Sequence, residues 1–235
     1  MAVEEYKIIT ELFGVENLQD IDVYKGHGGY KALEKALKLT PDEVIENVKE
    51  SGLSGRGGAW FSTGMKWGFM PKEPEVPSYL CVNADESEPG TFKDRQLLQE
   101  NPHQLLEGTI IAAYAIRASV AYIYIRGEMW EELVQMDRMI DQARKAGYIG
   151  KNILGTGYDL EVYTHPGAGA YICGEEMGLI ASLEGKRAEP RAKPPFPAQK
   201  GVFDCPTIVN NVQTLSYVPH IINRGSDWFK GIGSE

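Results

Sequence analysis

Strand-like and helix-like stretches alternate through the middle of this chain, and that alternation restricts its fold more than any other feature. Tyr79-Leu-Cys-Val-Asn83 is a short apolar run after a proline-punctuated segment, Pro71 to Pro77, and reads as a buried strand. Asn101-Pro102-His103-Gln104 then caps a helix that runs to about Arg117. Val120 to Arg126, rich in β-branched and aromatic residues, is a second strand, and Glu128 to Lys145 is a second helix, ended by Gly147. Leu160 to Thr164 and Gly174 to Lys186 repeat the pair. Strands and helices taken in turn imply an α/β fold, a parallel sheet with helices on both faces. Before it, Tyr30 to Leu39 carries Leu33, Ala36 and Leu37 at helical spacing. Thr40-Pro41-Asp42-Glu43 spells a capping box, with proline in the first turn, for a helix reaching about Ser51. Residues 1–51 therefore read as a helical N-terminal segment and residues 52–235 as the domain that holds the sheet. Arg187 to Pro206 is proline-rich and irregular, and Thr207 to Arg224 reads as a final helix, kinked before Pro219.

Composition limits the chemistry. The 24 Lys and Arg against 33 Asp and Glu leave a formal charge of −9, which argues against nucleic acid as the partner, because neutralising phosphates needs a basic face. Cys81, Cys173 and Cys205 are far apart and form no C-x-x-C, so neither a disulfide framework nor a cysteine-built metal site is expected from this chain alone. The longest apolar stretch, Thr109 to Ile116, is closed by Arg117 and is too short to cross a bilayer. The start, MAVEEYKII, has neither a basic opening nor an apolar core of signal length. A reducing, cytosolic-type compartment is the expectation.

Four loops gather residues able to hold a ligand. Gly55-Arg56-Gly57-Gly58-Ala59-Trp60 nearly spells G-x-G-x-x-G, but with Trp in the last place and no strand before it. It reads either as a flexible turn or as a nest of backbone N–H groups for a phosphate or a flat ring, with Arg56 or Lys66 adding charge. Asn83-Ala-Asp85-Glu86-Ser-Glu88-Pro-Gly90 follows the first strand, where α/β sheets bind ligands; the alternative is a solvated acidic turn. Gly167 to Glu176 follows the third strand, and its small residues permit close backbone approach. Glu175 and Glu176 also suit a helix start for purely structural reasons. Asn210, Asn211 and Thr214 open the last helix on one face, as uncharged donors for a phosphate or as simple caps. His27, His103, His165 and His220 show no metal-ligand spacing and read as structural or surface residues.

Taken together, Gly52 to Trp67, Asn83 to Arg95, Gly167 to Glu176 and Pro206 to Thr214 resemble one family. It is the NADH-binding flavoprotein subunit of respiratory complex I (NADH-quinone oxidoreductase), with the related diaphorase subunits of NAD-reducing hydrogenases and formate dehydrogenases. The resemblance covers about Tyr30 to Gly231. It implies a Rossmann-like domain holding FMN, to which NADH passes a hydride before single electrons leave through iron–sulfur clusters. Carried over residue by residue, it implies FMN contacts from Gly55, Arg56, Gly57, Gly58, Lys66, Asn83, Asp85, Tyr171, Gly174, Glu175, Glu176, Asn210, Asn211 and Thr214. It implies NADH contacts from Phe61, Phe69, Glu86, Glu88, Lys193 and Phe196, with no side chain needed as acid or base. Aromatic faces suit nicotinamide and adenine, and carboxylates oppose a 2′-phosphate. The implied partners are other subunits of an NADH-oxidising complex, one of them an iron–sulfur subunit. The implied location is cytoplasmic, or peripheral on the cytoplasmic face of the inner membrane through that complex. The family continues into a ubiquitin-like domain and a four-cysteine domain for a [4Fe–4S] cluster, whose ligands this sequence does not carry. Other departures are Trp60 for Gly, Ser62 for Pro, and Met177-Gly178 for Thr-Ala. An indole at position 60 resists the positive φ open to glycine. It is expected to lie over the flavin, in the nicotinamide's stacking place, rather than to point away beside Phe61. The departures leave open a second reading, a non-catalytic or truncated assembly subunit that keeps the fold. A third is the membrane-associated flavoprotein relatives of ion-pumping electron-transfer complexes.

Overall fold

The structure, a computed structural model, describes residues 5–233. The first four residues of the MAVEEYKII start, with Ser234 and Glu235, lie outside them. Strands β1 (Tyr79–Ala84), β2 (Val120–Ile125), β3 (Glu161–Pro166) and β4 (Thr207–Asn211) form one sheet. All pairs are parallel, in the order β3-β2-β1-β4. The chain steps from β1 out to β2 and β3 and then returns to the far side of β1. The winding therefore reverses between β1 and β4, the place where open α/β sheets leave a crevice. Register puts Asn83 of β1 level with Asn211 of β4 at the carboxyl edge.

The three expected strands are present within two residues of their expected bounds. The fourth is a correction. Thr207 to Arg224 is not one helix: residues 207–211 are β4, and helix α9 is Val212–Arg224. Thr207, Ile208 and Val209 are β-branched, and the open edge of β1 gives them a partner that local periodicity cannot show. Helix α8 (Glu176–Leu183) starts two residues late, after a 3-10 turn at Tyr171–Gly174. Three helices had no sequence signal assigned to them, α4 (Thr63–Trp67), α5 (Lys93–Glu100) and α10 (Ser226–Lys230).

Helices do cover both faces. On one, α6 (Pro102–Ala115), α7 (Trp130–Lys145) and α9 bury Leu80, Val82, Ile123, Val162 and Ile208. On the other, α8 packs over Cys81, Tyr124 and Val209. Helix α9 runs through Pro219, which has no N–H for the Leu215 carbonyl one turn back. Gly108 of α6 lies against that carbonyl: a Cβ there would stand 2.1 Å from Leu215 O. The N-terminal helices α1 (Ile21–Gly26), α2 (Lys31–Ala36) and α3 (Pro41–Glu50) join the same core, and α10 (Ser226–Lys230) closes the described chain. Buried Glu107 of α6 ties two of these segments to the sheet domain, accepting from Tyr24 Oη at 2.6 Å and Leu33 N at 3.1 Å.

Candidate functional site

A cavity of about 770 Å³ opens beyond the carboxyl ends of β1 and β4. The glycine loop forms one wall as a tongue. Ser54 and Ser62 pair across its base, and Gly55 N donates to Phe61 O at 2.8 Å. The chain turns back through Gly58 at φ +110°, a conformation glycine reaches at low cost. The tongue rests on the start of α9. Arg56 N donates to Thr214 Oγ1 at 2.9 Å, and a Cβ on Gly57 would come within 3.3 Å of Asn211 Cβ.

A charged cluster forms the second wall. Gly64 lets α4 pack against α3, since a Cβ there would stand 2.4 Å from the Lys49 backbone. That contact aims Lys66 into the cavity, where Nζ donates to Glu176 Oε2 and to Val209 O, both at 2.9 Å. Trp67 Nε1 donates to Asn210 Oδ1 at 2.7 Å, which fixes the end of β4. Lys193 donates to Glu176 Oε1 and lies 3.3 Å from Glu175 Oε1. Burial pushes the Glu176 carboxyl up, but the ammonium groups of Lys66 and Lys193 outweigh it and hold the group below the usual range. Glu175 also caps α8, accepting from Met177 N at 2.8 Å and Gly178 N at 2.9 Å. The structural reading of Glu175 and its place in the cavity wall hold together.

The loop after β1 forms the third side. Asn83 Nδ2 donates to Gly174 O at 2.9 Å, joining the β1 and β3 loops. Asp85 accepts from Ser87 Oγ at 2.8 Å through Oδ2, while its Oδ1 is buried without a partner. Burial pushes the Asp85 carboxyl up. Thr63 Oγ1, in the cavity wall, is likewise buried and unpartnered. At the mouth stand Trp60, Phe61, Phe69 and Phe196, each with about half or more of its surface exposed. Such an aromatic cluster around one opening marks a binding surface.

Of the expected residues, Gly55, Gly57, Lys66, Asn83, Gly174, Glu175, Glu176, Asn210, Asn211 and Thr214 line the cavity, as do Phe61, Phe69, Lys193 and Phe196. Gly58 shapes the tongue from outside the lining. The Arg56 guanidinium turns to the rings of Trp60, at 4.4 Å, and Tyr217, at 5.5 Å. Asp85, Tyr171, Glu86 and Glu88 are not in the lining. Glu86 is spent on the start of α5, its two oxygens accepting from Asp94 N at 2.9 Å and Arg95 N at 3.0 Å. Exposed Glu88 accepts from Tyr171 Oη, beside the cavity rather than in it. Asn210 and Asn211 share no helical face with Thr214, because both are in β4. Asn211 is the N-cap of α9, accepting from Gln213 N at 3.0 Å. Trp60 takes the positive φ that an indole was expected to resist, at +56°, and lines the cavity. Thr63, Ile208 and Val209 were missed, and only the strand assignment of β4 could have found the last two.

Fold and site define an α/β domain with a ligand cavity at the reversal point of a parallel sheet. The chain belongs to the family of the Nuo51 FMN-binding domain, which it matches over residues 48–220. It is 56% identical over 227 residues to an NADH-quinone oxidoreductase subunit of Rhizobium meliloti, across 93% of this chain and 54% of that protein. It is 57% identical over 228 residues to the corresponding NADH-quinone oxidoreductase subunit of Streptomyces coelicolor, across 97% of this chain and 51% of that one. The chain thus spans about half the length of these relatives. Among solved structures it resembles an NAD+-reducing [NiFe]-hydrogenase in the H2-reduced state, with a TM-score of 0.77 and 41% identity over 85% of this chain and 34% of that one. Among the described residues no helix is long and apolar enough to cross a membrane.

Proposed function

We propose that this chain is the flavin and NADH module of an NADH dehydrogenase. It binds FMN in the cavity, brings NADH against it, and passes electrons to iron–sulfur clusters held by partner subunits. Residues 52–235 hold both ligands, and residues 1–51 are the helical segment that braces them. We place the protein in the cytoplasm or, through its complex, on the cytoplasmic face of the inner membrane.

The observation that carries the reading is the meeting of the glycine tongue, β1 and β4 at one cavity, with a buried hydroxyl in its wall, Thr63 Oγ1, that lacks a partner. Asp85, whose Oδ1 is also buried without a partner, lies outside the lining, behind Gly174. Unpartnered buried polar atoms are costly and suit a polyhydroxylated ligand such as the ribityl chain. Asn211, Thr214 and the N–H groups of the tongue suit a phosphate. Phe61, Phe69 and Phe196 suit adenine and nicotinamide faces. FMN, when bound, accepts the hydride of NADH. The side chains bind, orient and supply the electrostatics, with no acid or base required. Lys66 and Lys193 keep Glu176 ionised, so a ligand meets a balanced charge cluster rather than a net anion.

The test is a flavin titration of the purified chain. FMN should bind more tightly than riboflavin, through charge-assisted contacts to its phosphate. NADH should bleach the yellow complex, and ferricyanide should re-oxidise it. Equal affinity for the two flavins removes the phosphate assignment. A second reading, a subunit that keeps the fold without turnover, is favoured by the indole of Trp60 in the cavity wall. A colourless protein that takes up no flavin supports it.

A further inference from the structure

Asn211 reaches the cavity wall with its carboxamide already committed. Its Oδ1 accepts from Gln213 N at 3.0 Å and from Lys93 Nζ at 3.3 Å. Its Nδ2 donates to Asp94 Oδ2 at 2.6 Å. Both lone pairs of Oδ1 and one of the two Nδ2 hydrogens are in use, so a ligand at Asn211 finds a donor and no acceptor. A carboxamide has nearly the same shape when turned over, and turning it would reverse that offer. Asp94 prevents it. Its carboxylate only accepts, it is 3% exposed, and its other oxygen is held by Lys93 Nζ at 2.7 Å. Asp94 is itself fixed, because Glu86 caps the first turn of α5 through the N–H groups of residues 94 and 95.

We propose that Asp94, outside the cavity, is a positioning residue that locks the Asn211 carboxamide with its N–H toward the ligand. The cavity then selects a hydrogen-bond-accepting oxygen, anionic or carbonyl, at that point. The identity of the ligand rests on the flavin reading above; the locking geometry does not. In FMN both kinds of oxygen occur, on the phosphate and on the ring, whereas riboflavin has only the ring carbonyls.

The experiment uses the 235-residue chain as parent, Asp94→Asn, Asn211→Ala and the double variant, each freed of flavin and titrated with FMN and with riboflavin. Asp94→Asn can present either oxygen or nitrogen to Asn211, so the lock is lost with little change of shape. It should weaken FMN roughly tenfold in the parent background, and cause no further loss when residue 211 is already Ala. Weakening confined to FMN assigns the acceptor to the phosphate, and equal weakening of riboflavin assigns it to the ring; both support the lock. A loss of the same size in both backgrounds overturns it, because Asp94 would then act through the fold at large. So does an unchanged affinity in the parent background. A second measurement needs only the parent and no flavin. Of the two Nδ2 hydrogens of Asn211, identified in nuclear magnetic resonance spectra by their absence in Asn211→Ala, one should be shifted well outside the range of solvent-exposed asparagine amides by its bond to Asp94. Both hydrogens at the shifts of solvent-exposed asparagine amides overturn the proposal even if Asp94→Asn does not fold. A parent that binds neither flavin overturns the flavin reading instead and leaves the amide measurement to decide the lock.

Discussion

Trp60 sits in the left-handed region at φ +56° and is 64% exposed. That backbone conformation costs an L-residue on the order of 1–2 kcal/mol. The Arg56 guanidinium, 4.4 Å above the ring, returns about 0.5–1 kcal/mol at an exposed site. Trp60→Gly should therefore leave stability unchanged or slightly raised, which thermal unfolding would show. In the flavin complex it should speed reduction by NADH and brighten flavin fluorescence, because the indole leaves the cavity wall. If rate and fluorescence both stay as they were, the indole lies outside the ligand's reach. Glu86 gives the opposite lesson. Both its oxygens hold the N–H groups that start α5. Glu86→Gln should cost about 1 kcal/mol in urea unfolding, the worth of a helix cap, and leave the ratio of NADH to NADPH turnover unchanged. Glu88→Gln, on the exposed side of the same loop, should narrow that ratio by removing a repulsive charge.

Between elements, α6 and α9 approach closely at a glycine. Gly108 faces the Leu215 carbonyl that Pro219 leaves without an N–H, and a methyl there would stand 2.1 Å from that oxygen. Backbone cannot yield as a flexible side chain does, so the two helices must separate. Gly108→Ala should cost about 1–3 kcal/mol or more, the range for overpacked cores, and read out as a lower urea midpoint. The α9 start would move with it, so flavin affinity should fall together with stability. A normal midpoint would show that the helices meet elsewhere. Gly64 makes the same demand where α4 crosses α3, and it carries Lys66 with it.

Across the whole molecule, stability should depend on pH through two histidines, buried His103 and half-buried His220. Burial pushes His103 and His220 down to about 4. His103 is satisfied as a neutral ring, with Tyr30 Oη at 2.9 Å from Nδ1 and Gln19 O at 3.3 Å from Nε2. The unfolded chain binds these protons near the ordinary value of about 6.5. Their contribution is thus complete above about 6.5 and is lost as pH falls toward about 4. Burial pushes the carboxyls of Asp85, Asp94 and Glu107 up, which acts in the other direction. The informative quantity is therefore a difference. His103→Gln should cost stability at neutral pH but flatten the fall of the urea midpoint between neutral and mildly acidic buffer. A slope equal to that of the parent would mean His103 is protonated in the folded state.

Interactions between near neighbours were legible in the sequence. The Thr40 and Glu43 capping box is present with both of its bonds, Thr40 N to Glu43 Oε2 at 2.7 Å and Glu43 N to Thr40 Oγ1 at 3.3 Å. Three strands and the long helices between them were legible too, because β-branched runs, caps and a helical period act within a few residues. Most of the cavity wall was legible through motif resemblance, from Gly55 to Thr214. Residues 207–211 were not, because their own spacing also fits a helix turn and the free edge of β1 decides between the two. Glu86 reads as a ligand contact because nothing local says that a helix starting at Lys93 needs a cap. The bond from Asp94 to Asn211 spans 117 residues. Neither residue carries a sign of the other, because that geometry exists only once β4 has joined the sheet and α5 has packed against α9 beside it.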